Sequence, residues 1–238
     1  MKKSILFGAI TLIAGSVLAA DSDEVKAAAR KLADQSNYSW RTTVTVPESG
    51  GGGRFRPGPT EGKTEKDGCT LLSMKFGDND VEAVLKGDKG AAKMEEGWKS
   101  LSDLAGDGQP GPATFMARRL RTYKTPAAEA EDMAAKTKEL KKEGDTYAGD
   151  LTEEGAKALL TLGRRGGGGG AAPEAKNAKG SVKFWLKDGQ LAKYEYKVSG
   201  TLNINGEDRD LERTTTVEIK DVGKTKVEVP EEAKKKLT

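Results

Sequence analysis

The residue types that most often carry out chemistry in proteins are scarce in this sequence. It has no histidine and a single cysteine, Cys69. Without an imidazole, Ser-His-Asp and Cys-His nucleophiles, histidine zinc sites and 2-His-1-carboxylate iron sites are all excluded. One cysteine cannot form an internal disulfide bond. Cys69 opens an alternating, strand-like segment with no basic residue beside it, so we expect a buried and inert thiol.

Paired carboxylates remain a possible source of acid and base chemistry without histidine. The 37 Asp and Glu residues are scattered, and most lie beside lysines on helical patterns, as Glu139 does near Lys142. This is typical of a solvated helix face. The cluster at 78–80 lacks the twelve-residue loop and closing glutamate of a calcium site, so it favours a turn. We therefore predict no catalytic residue, no metal, no cofactor and no enzymatic activity, with an unrecognised hydrolase as the alternative.

Charge and apolar content limit the classes of partner and the size of the core. The chain has 40 Lys and Arg against 37 Asp and Glu, a net charge of +3. Such a balance does not favour binding to nucleic acid or to an anionic membrane surface. Leu, Ile, Val and Phe make up only 42 of the 238 residues, a fraction below the roughly one fifth at which disorder becomes plausible. We therefore expect a small, thin core with unstructured insertions.

The N-terminus has the pattern of a secretory signal peptide. Lys2 and Lys3 precede an apolar run at 5–18, which ends in small residues before the acidic segment 21–24. This predicts cleavage after Ala19 or Ala20 and a periplasmic or secreted protein. The alternative is an uncleaved membrane anchor, but the apolar run is shorter than the ~20 residues that span a bilayer. No integral span is expected after cleavage.

Two glycine-rich tracts interrupt the chain, at 48–62 and at 164–179. Their pure glycine runs do not resemble a phosphate-binding loop, which follows a strand and ends in a Lys-Ser/Thr pair. We expect both to be flexible insertions into surface loops of a single domain that spans 21–238. Arginines beside the tracts offer the alternative of a contact with an acidic partner.

The N-terminal half has the pattern of one helix followed by a β-meander. Asp21-Ser22-Asp23-Glu24 has capping-box spacing and predicts a helix over 22–36. Trp40, Thr42, Val44 and Val46 alternate with polar residues, which indicates a half-buried strand. Further strands are predicted at 60–66, 69–76 and 80–86, separated by turn residues.

Helical patterns follow the meander. The spacing of Trp98, Leu101 and Leu104 predicts one helix, and that of Phe115, Met116, Leu120 and Tyr123 predicts another. Thr125-Pro126 opens a third that runs to about Lys142, because proline is favourable at the first helical position. A short strand at 146–149 precedes Thr152, which is predicted to be the N-cap of a helix ending at Gly163.

Three long antiparallel strands are predicted at the C-terminus. A three-residue loop at 187–189, with Gly189 left-handed, puts Val182, Phe184 and Leu186 on one face with Ala192, Tyr194, Tyr196 and Val198. A two-residue turn at Asn205-Gly206 adds Leu211, Thr215, Val217 and Ile219 to that face. Trp185 lies on the opposite, charged face.

Several of these segments together resemble a known superfamily. The stretch 147–160 that opens Tyr147-Ala148-Gly149, the Trp185-Leu186-Lys187-Asp188-Gly189 hairpin and the final strand ending at Val229-Pro230 are similar to the C-terminal half of the LolA/LppX-like lipoprotein-carrier superfamily. The first helix and the Trp40 strand match its opening. The resemblance implies an α+β fold, in which helices cover the concave face of a curved antiparallel sheet that forms an unclosed half-barrel. It also implies lipid binding, since many members hold acyl chains there.

The resemblance and the one-sided apolar sheet predict a binding cleft between helices and sheet. Its candidate lining is aromatic and aliphatic: Trp40, Val44, Trp98, Phe115, Met116, Leu120, Phe184, Tyr194 and Tyr196. The expected function is that of an exported binding module or carrier for a hydrophobic small molecule or acyl chain. The alternative is a non-enzymatic envelope protein with a structural or protein-interaction role and a filled core.

Overall fold

The protein is built on one open antiparallel sheet, which is covered by helices on one face. A computed structural model describes residues 15–47, 58–76, 79–106, 111–161, 174–204 and 206–237. The eleven strands follow the order β6-β5-β4-β3-β2-β1-β11-β10-β9-β8-β7, and the sheet does not close on itself. The predicted α+β half-barrel is confirmed.

The bounds of the elements show how the chain alternates between sheet and helices. The strands are β1 Asn37–Thr45, β2 Thr60–Glu65, β3 Thr70–Phe76, β4 Asn79–Lys86, β5 Lys89–Met94, β6 Gly97–Ser100, β7 Lys141–Glu143, β8 Thr146–Asp150, β9 Ala175–Lys187, β10 Gln190–Ile204 and β11 Glu207–Lys220. The helices are α1 Gly15–Ala33, α2 Leu101–Ala105, α3 Pro112–Arg121, α4 Pro126–Ala135, α5 Glu153–Thr161 and α6 Glu231–Lys234.

One pairing joins the two halves of the sheet. Strands β1 to β6 form a meander in chain order, of which the first four strands were predicted, and β7 to β11 form the second half. The halves meet where β1 lies antiparallel to β11, with Trp40 opposite Ile219 and Thr42 opposite Val217. Both halves therefore share one continuous inner face, by which we mean the face covered by α1 to α5.

The core on this inner face is larger than the predicted thin core. It is one continuous cluster that runs from Leu72 and Met74 on β3 to Phe184 and Tyr194 in the C-terminal half. The apolar count missed alanine, which supplies much of the contact surface: Ala28, Ala29, Ala83, Ala92, Ala117, Ala127, Ala130, Ala134, Ala156, Ala175 and Ala178. Small side chains let backbones approach closely, so few large aliphatic residues suffice.

Glycines bring helix α5 against the sheet. A Cβ atom on Gly200 would lie 2.8 Å from the Leu160 side chain and 3.0 Å from the Lys176 carbonyl oxygen. On the neighbouring strand, a Cβ atom on Gly180 would lie 2.8 Å from the Leu151 side chain. Both distances are shorter than real Cβ contacts, so these positions require glycine for close packing.

The first helix differs from its prediction at both ends. It extends over Gly15–Ala33 in place of 22–36. Asp21 is therefore inside the helix and does not act as a capping residue. Its carboxylate instead accepts a hydrogen bond of 3.0 Å from the backbone N–H of Lys142. A capping box is a local signal, and here a tertiary contact to β7 uses the same carboxylate.

The helical predictions for 98–104 and 126–142 were too long. Trp98 lies on strand β6, and the strand β5 before it was missed. Helix α2 begins only at Leu101, where Ser100 and Asp103 form a capping box. Proline does open α4 at Pro126, but α4 ends at Ala135 because the chain then turns to pair with β8. The predicted cap at Thr152 is confirmed by its hydroxyl, which accepts from the Gly155 N–H at 3.0 Å.

The β9–β10 hairpin reaches its predicted register by a different route. Lys187 pairs with Gln190, so the loop has two residues, Asp188 and Gly189, with φ values of 54° and 67°. The extra residue is a bulge at Ala192, between the Leu191 and Lys193 pairs. After this bulge Phe184 pairs with Tyr194, so the apolar residues of both strands lie on the same face, as predicted.

The predicted turn at 205–206 and the position of Trp185 hold, but the final strand ends at Lys220 and not at Pro230. Ile204 pairs with Glu207, which leaves a two-residue turn. Trp185 lies on the outer face, where the Nζ atom of Lys193 is 4.5 Å from the centroid of its ring. Strands β2 and β9 begin at Thr60 and Ala175, so the C-terminal ends of both glycine-rich tracts belong to the sheet. The rest of these tracts, 48–57 and 164–173, lies outside the described residues, as do 1–14 of the expected signal peptide.

Neighbouring positions on β10 test the sidedness of the sheet. Tyr196 is 7% exposed on the inner face, whereas Lys197 is exposed and pairs with Glu212 at 2.6 Å. We expect Tyr196→Lys to lower the free energy of unfolding by several kcal/mol, since it buries a charge. Lys197→Tyr should cost about 1 kcal/mol or less, because it breaks one exposed ion pair. Urea unfolding measures both, and equal losses would contradict the face assignment.

Candidate functional site

Six of the nine predicted cleft residues are brought together in the inner core. Each is at most 7% exposed: Trp40, Met116, Leu120, Phe184, Tyr194 and Tyr196. Val44 and Phe115 are half-buried. The aromatic rings pack closely, with Phe184 and Tyr194 centroids 6.3 Å apart. These side chains fill the space between sheet and helices.

Trp98 is separated from the other predicted cleft residues. It lies on the outer face in a small cluster with Val84, Ala91 and Ala233 of helix α6. Because Trp98 lies on a strand, its neighbours on the sequence point to the opposite face. Its predicted place in a cleft with Phe115 followed from the incorrect helical interpretation of 98–104.

A group of polar side chains lies within the inner core and was not predicted. We call it the buried polar cluster; it comprises Arg119, Tyr123, Glu129, Tyr194, Tyr196 and Arg213. Tyr194 and Tyr196 are buried, and the other four side chains are half-buried. Glu129 is in the first turn of α4 and faces the sheet. Its carboxylate accepts hydrogen bonds from the Tyr194 hydroxyl at 2.5 Å and from the Tyr196 hydroxyl at 3.5 Å. The two tyrosines are alternate residues of β10, so their hydroxyls reach the same carboxylate from one strand.

Two arginines belong to this cluster and come from different elements; of these, Arg213 acts on the Glu129 carboxylate. Arg213 lies on the inner face of β11, opposite Val198. One terminal nitrogen of Arg213 donates to the carbonyl oxygen of Leu159 on α5. Its Nε atom is buried and has no hydrogen-bond partner, and the same is true of Nε1 of Trp40. Arg119 reaches the cluster from α3 and interacts electrostatically with Arg213 and Tyr196.

Burial shifts the pKa values of the cluster toward neutral forms. It raises the pKa of Glu129, although the hydrogen bonds from both tyrosines oppose the shift. Burial also lowers the pKa of the Arg119 guanidinium, and the charge on Arg213 lowers it further. The pKa of Tyr194 is raised by burial and by the nearby Glu129 carboxylate. The charged forms of Glu129, Arg119 and Tyr194 are thus costly.

Two cavities lie at the edges of the inner layer. A cavity of about 180 Å³ is bordered by Leu101, Leu120 and Tyr123 near the α2–α3 end. A groove of about 350 Å³ lies between α1 and the β9–β10 turn, with Ala28 and Leu186 among its walls. Of the predicted cleft residues only Leu120 borders either of these two spaces.

The chemistry that this site can support is recognition. Within the described ranges, no group of three Asp, Glu or Cys side chains could hold a metal ion. No helix in those same ranges is long and apolar enough to cross a membrane. The buried polar cluster provides hydroxyl and guanidinium donors beside aromatic rings, which suits an amphiphilic ligand.

The sequence contained a weak signal for this cluster. Glu129 falls three residues after Pro126 and four before Met133, so it shares their buried helical stripe. Arg213 alternates with Leu211 and Thr215 on the strand face that was predicted to be apolar. A charged residue in phase with a buried stripe is the signal, but its partner on another element is not visible in the sequence.

Comparisons with known proteins concern the fold. No protein-family model matches the sequence, and no curated protein matches it. Among solved structures it is similar to the lipoprotein LppX of Mycobacterium tuberculosis, with a TM-score of 0.45 and 10% identity over 89% of this chain and 99% of that one. It is similar to LprF of Mycobacterium bovis, with a TM-score of 0.45 and 11% identity over 90% of this chain and 98% of that one.

A LolA superfamily protein of Nitrosomonas europaea is also similar to this chain. The TM-score is 0.33 and the identity 9%, over 93% of this chain and 97% of that one. At identities of 9–11%, these similarities say nothing about a ligand.

Replacing Glu129 by glutamine tests whether its carboxyl is buried. An acid with a raised pKa contributes stability that is present below its ordinary value of 4.5 and lost as the pH rises through the raised value. Wild type should therefore lose free energy of unfolding relative to Glu129→Gln as the pH rises through that window. The nearby cations Lys124 and Arg213 reduce this loss.

Urea unfolding of both proteins between about pH 4 and about pH 8 measures the difference. Glu154→Gln, at an exposed position on α5, is the control for the substitution itself. A difference between wild type and Glu129→Gln that does not change with pH would contradict a buried carboxyl.

Proposed function

We propose that this protein is an exported binding module or carrier that holds a hydrophobic ligand between the inner face of the sheet and helices α3 and α4. One observation supports this more than any other. A charged and hydrogen-bonding cluster lies inside an otherwise apolar aromatic layer. A core that serves only stability gains little from such a group, because buried charges cost more than apolar residues of similar volume. Perturbed ionisable groups in a buried site are a mark of function.

The arrangement of the helices is consistent with a layer that opens. Helices α1 and α5 lie close to the sheet, on β10 and on β9 and β10 respectively. Helix α4 instead has its closest backbone contacts with α1, and α3 with α2. Beneath α4, the hydroxyls of Tyr194 and Tyr196 reach Glu129 from the sheet. A ligand that replaced these contacts would need only α3 and α4 to move.

The energy available for binding an acyl chain is adequate. Each buried methylene contributes about 0.8 kcal/mol, so eight carbons supply about 6 kcal/mol before ordering costs. This corresponds to dissociation constants in the micromolar to millimolar range. Aromatic faces such as those of Phe184 and Tyr194 provide apolar area for the chain.

The proposal places the protein in the periplasm or outside the cell. The signal-peptide pattern of 1–20 supports this location. Cleavage after Ala19 or Ala20 would retain Asp21, whose carboxylate joins α1 to β7 through the Lys142 N–H. The contact between α1 and the sheet edge is therefore preserved in either product.

A second candidate is an envelope protein with a structural or interaction role and a filled core. The observation that favours it is the close packing of six predicted cleft residues, each at most 7% exposed. In that case the buried polar cluster would determine only the relative position of helices and sheet. Ligand binding separates the two candidates.

Titration of the mature protein with an environment-sensitive fatty-acid analogue tests the proposal. We expect saturable binding that changes the fluorescence of Trp40, which lies on the inner face. Phe115→Asp should weaken binding at least tenfold, because it places a charge at the edge of the apolar layer. Ala128→Asp is the matched control, since Ala128 is exposed on α4. No binding by a folded wild type, up to the solubility limit of the probe, would leave the structural candidate.

N-terminal sequencing of the exported protein tests its processing. The mature chain should begin at Ala20 or Asp21, because the small residues before these positions suit a signal peptidase. Recovery of exported protein with Met1 intact would contradict a cleaved signal peptide.

A further inference from the structure

The buried polar cluster has an excess of positive charge. It contains two guanidinium groups, Arg119 and Arg213, and a single carboxylate, Glu129. Among the described residues, neither arginine lies within 4.0 Å of a carboxylate oxygen (all ion pairs found there involve other side chains). Lys124, the nearest lysine to Glu129, pairs instead with Asp132 at 3.1 Å. Buried charges are normally paired, so this excess requires an explanation.

The carboxylate oxygens of Glu129 already accept hydrogen bonds from other side chains. Its two oxygens accept from the hydroxyls of Tyr194 and Tyr196. Tyrosine hydroxyls cannot neutralise the carboxylate, and the carboxylate forms no ion pair with the arginines. Burial also raises the pKa of Glu129, which further reduces the negative charge available to the arginines.

The two guanidinium groups approach each other from opposite layers. Arg213 projects from β11 on the sheet side and Arg119 from α3 on the helix side. The charge of Arg213 disfavours that of Arg119 and contributes to the lowered pKa of Arg119. An anion between them would relieve this repulsion. Arg213 also retains a buried Nε donor with no partner, beside the nitrogen that bonds to Leu159.

We propose that the ligand is an anionic amphiphile, an acyl or alkyl chain whose carboxylate or phosphate head group binds between Arg119 and Arg213. This inference rests on the proposed function and specifies its ligand class. The planar fork of arginine suits both head groups, because it presents parallel N–H donors to two oxygens. The chain lies along the aromatic rings of Phe184 and Tyr194, next to the head-group site on the same sheet face.

Ligand selectivity of the wild-type protein tests the proposal without any substitution. Isothermal titration at neutral pH compares dodecanoate, dodecyl phosphate, the neutral 1-dodecanoylglycerol and inorganic phosphate, all below their aggregation concentrations. We expect both anionic amphiphiles to bind at least tenfold more tightly than the neutral ester, since charge-assisted hydrogen bonds are the stronger ones. Inorganic phosphate alone should bind far more weakly than dodecyl phosphate, because it lacks the chain.

Substitution of Arg213, the arginine on the sheet, is the second part of this test. Arg213→Gln should weaken binding of dodecanoate about tenfold or more and leave the neutral ester unchanged, while Arg213→Lys should retain part of the affinity. Arg209→Gln is the matched control, because Arg209 is on the same strand and exposed. If Arg213→Gln does not fold, Arg119→Gln serves in its place, with circular dichroism to establish folding.

The outcomes separate this inference from the function on which it rests. Equal affinity for neutral and anionic chains would overturn the anionic head-group site and leave the carrier proposal intact. Equal affinity for inorganic and dodecyl phosphate would overturn the amphiphile in favour of a free-anion site. Binding of none of the four compounds by folded protein would overturn the carrier proposal itself.

Discussion

The antiparallel pairing of β1 with β11 is the contact on which the rest of the structure depends. It joins a six-stranded meander to five C-terminal strands and makes their inner faces one surface. Without it each half would present an apolar face too narrow to be covered by the five helices. Because the paired strands come from near the two ends of the chain, the loop-closure entropy is large and is offset by the shared core. Trp40 and Val217, on the two sides of this junction, are both buried.

A shortage of large aliphatic residues determines how the helices pack on this surface. Where alanine and glycine line the interface, as at Ala28 and Gly200, helices lie close to the strands. Under α3 and α4 the filling residues are tryptophan, tyrosine and arginine, whose polar atoms need partners. The same composition therefore produces a tight layer at α1 and α5 and a polar, aromatic layer at α3 and α4.

The buried polar cluster combines a cost in stability with hydrogen-bond donors suited to recognition. Glu129 and its two tyrosines form a satisfied unit, whereas Arg213 keeps a buried donor without a partner. A partly satisfied network in a low-dielectric site is less favourable than an apolar one. Its presence in the centre of the inner layer is the physical reason to seek a ligand there, independently of any resemblance to other proteins.

The sequence by itself determined the sidedness of the strands, because alternation with period two assigns each residue to a face. The register of Phe184 against Tyr194 followed from that alternation, even though the extra residue is a bulge at Ala192 and not part of the turn. The helix starts at Pro126 and Thr152 were also predictable from the sequence, because proline and threonine at these positions act within one helical turn. The size of the core was underestimated because alanine is a poor guide to burial until its neighbours are known.

Only the tertiary structure decided the ends of elements and the composition of the site. Helix α4 ends at Ala135, and β5 and β6 form, because strand pairing outweighs a helical spacing of apolar residues. Asp21 bonds to β7 in place of capping a helix, and Trp98 lies on the outer face. The buried polar cluster, in which Glu129 contacts Tyr194 and Tyr196 and Arg119 lies near Arg213, involves α3, α4, β10 and β11. Side chains so distant in sequence leave no periodic signal of their contact, and their interaction exists only once the sheet and helices enclose them.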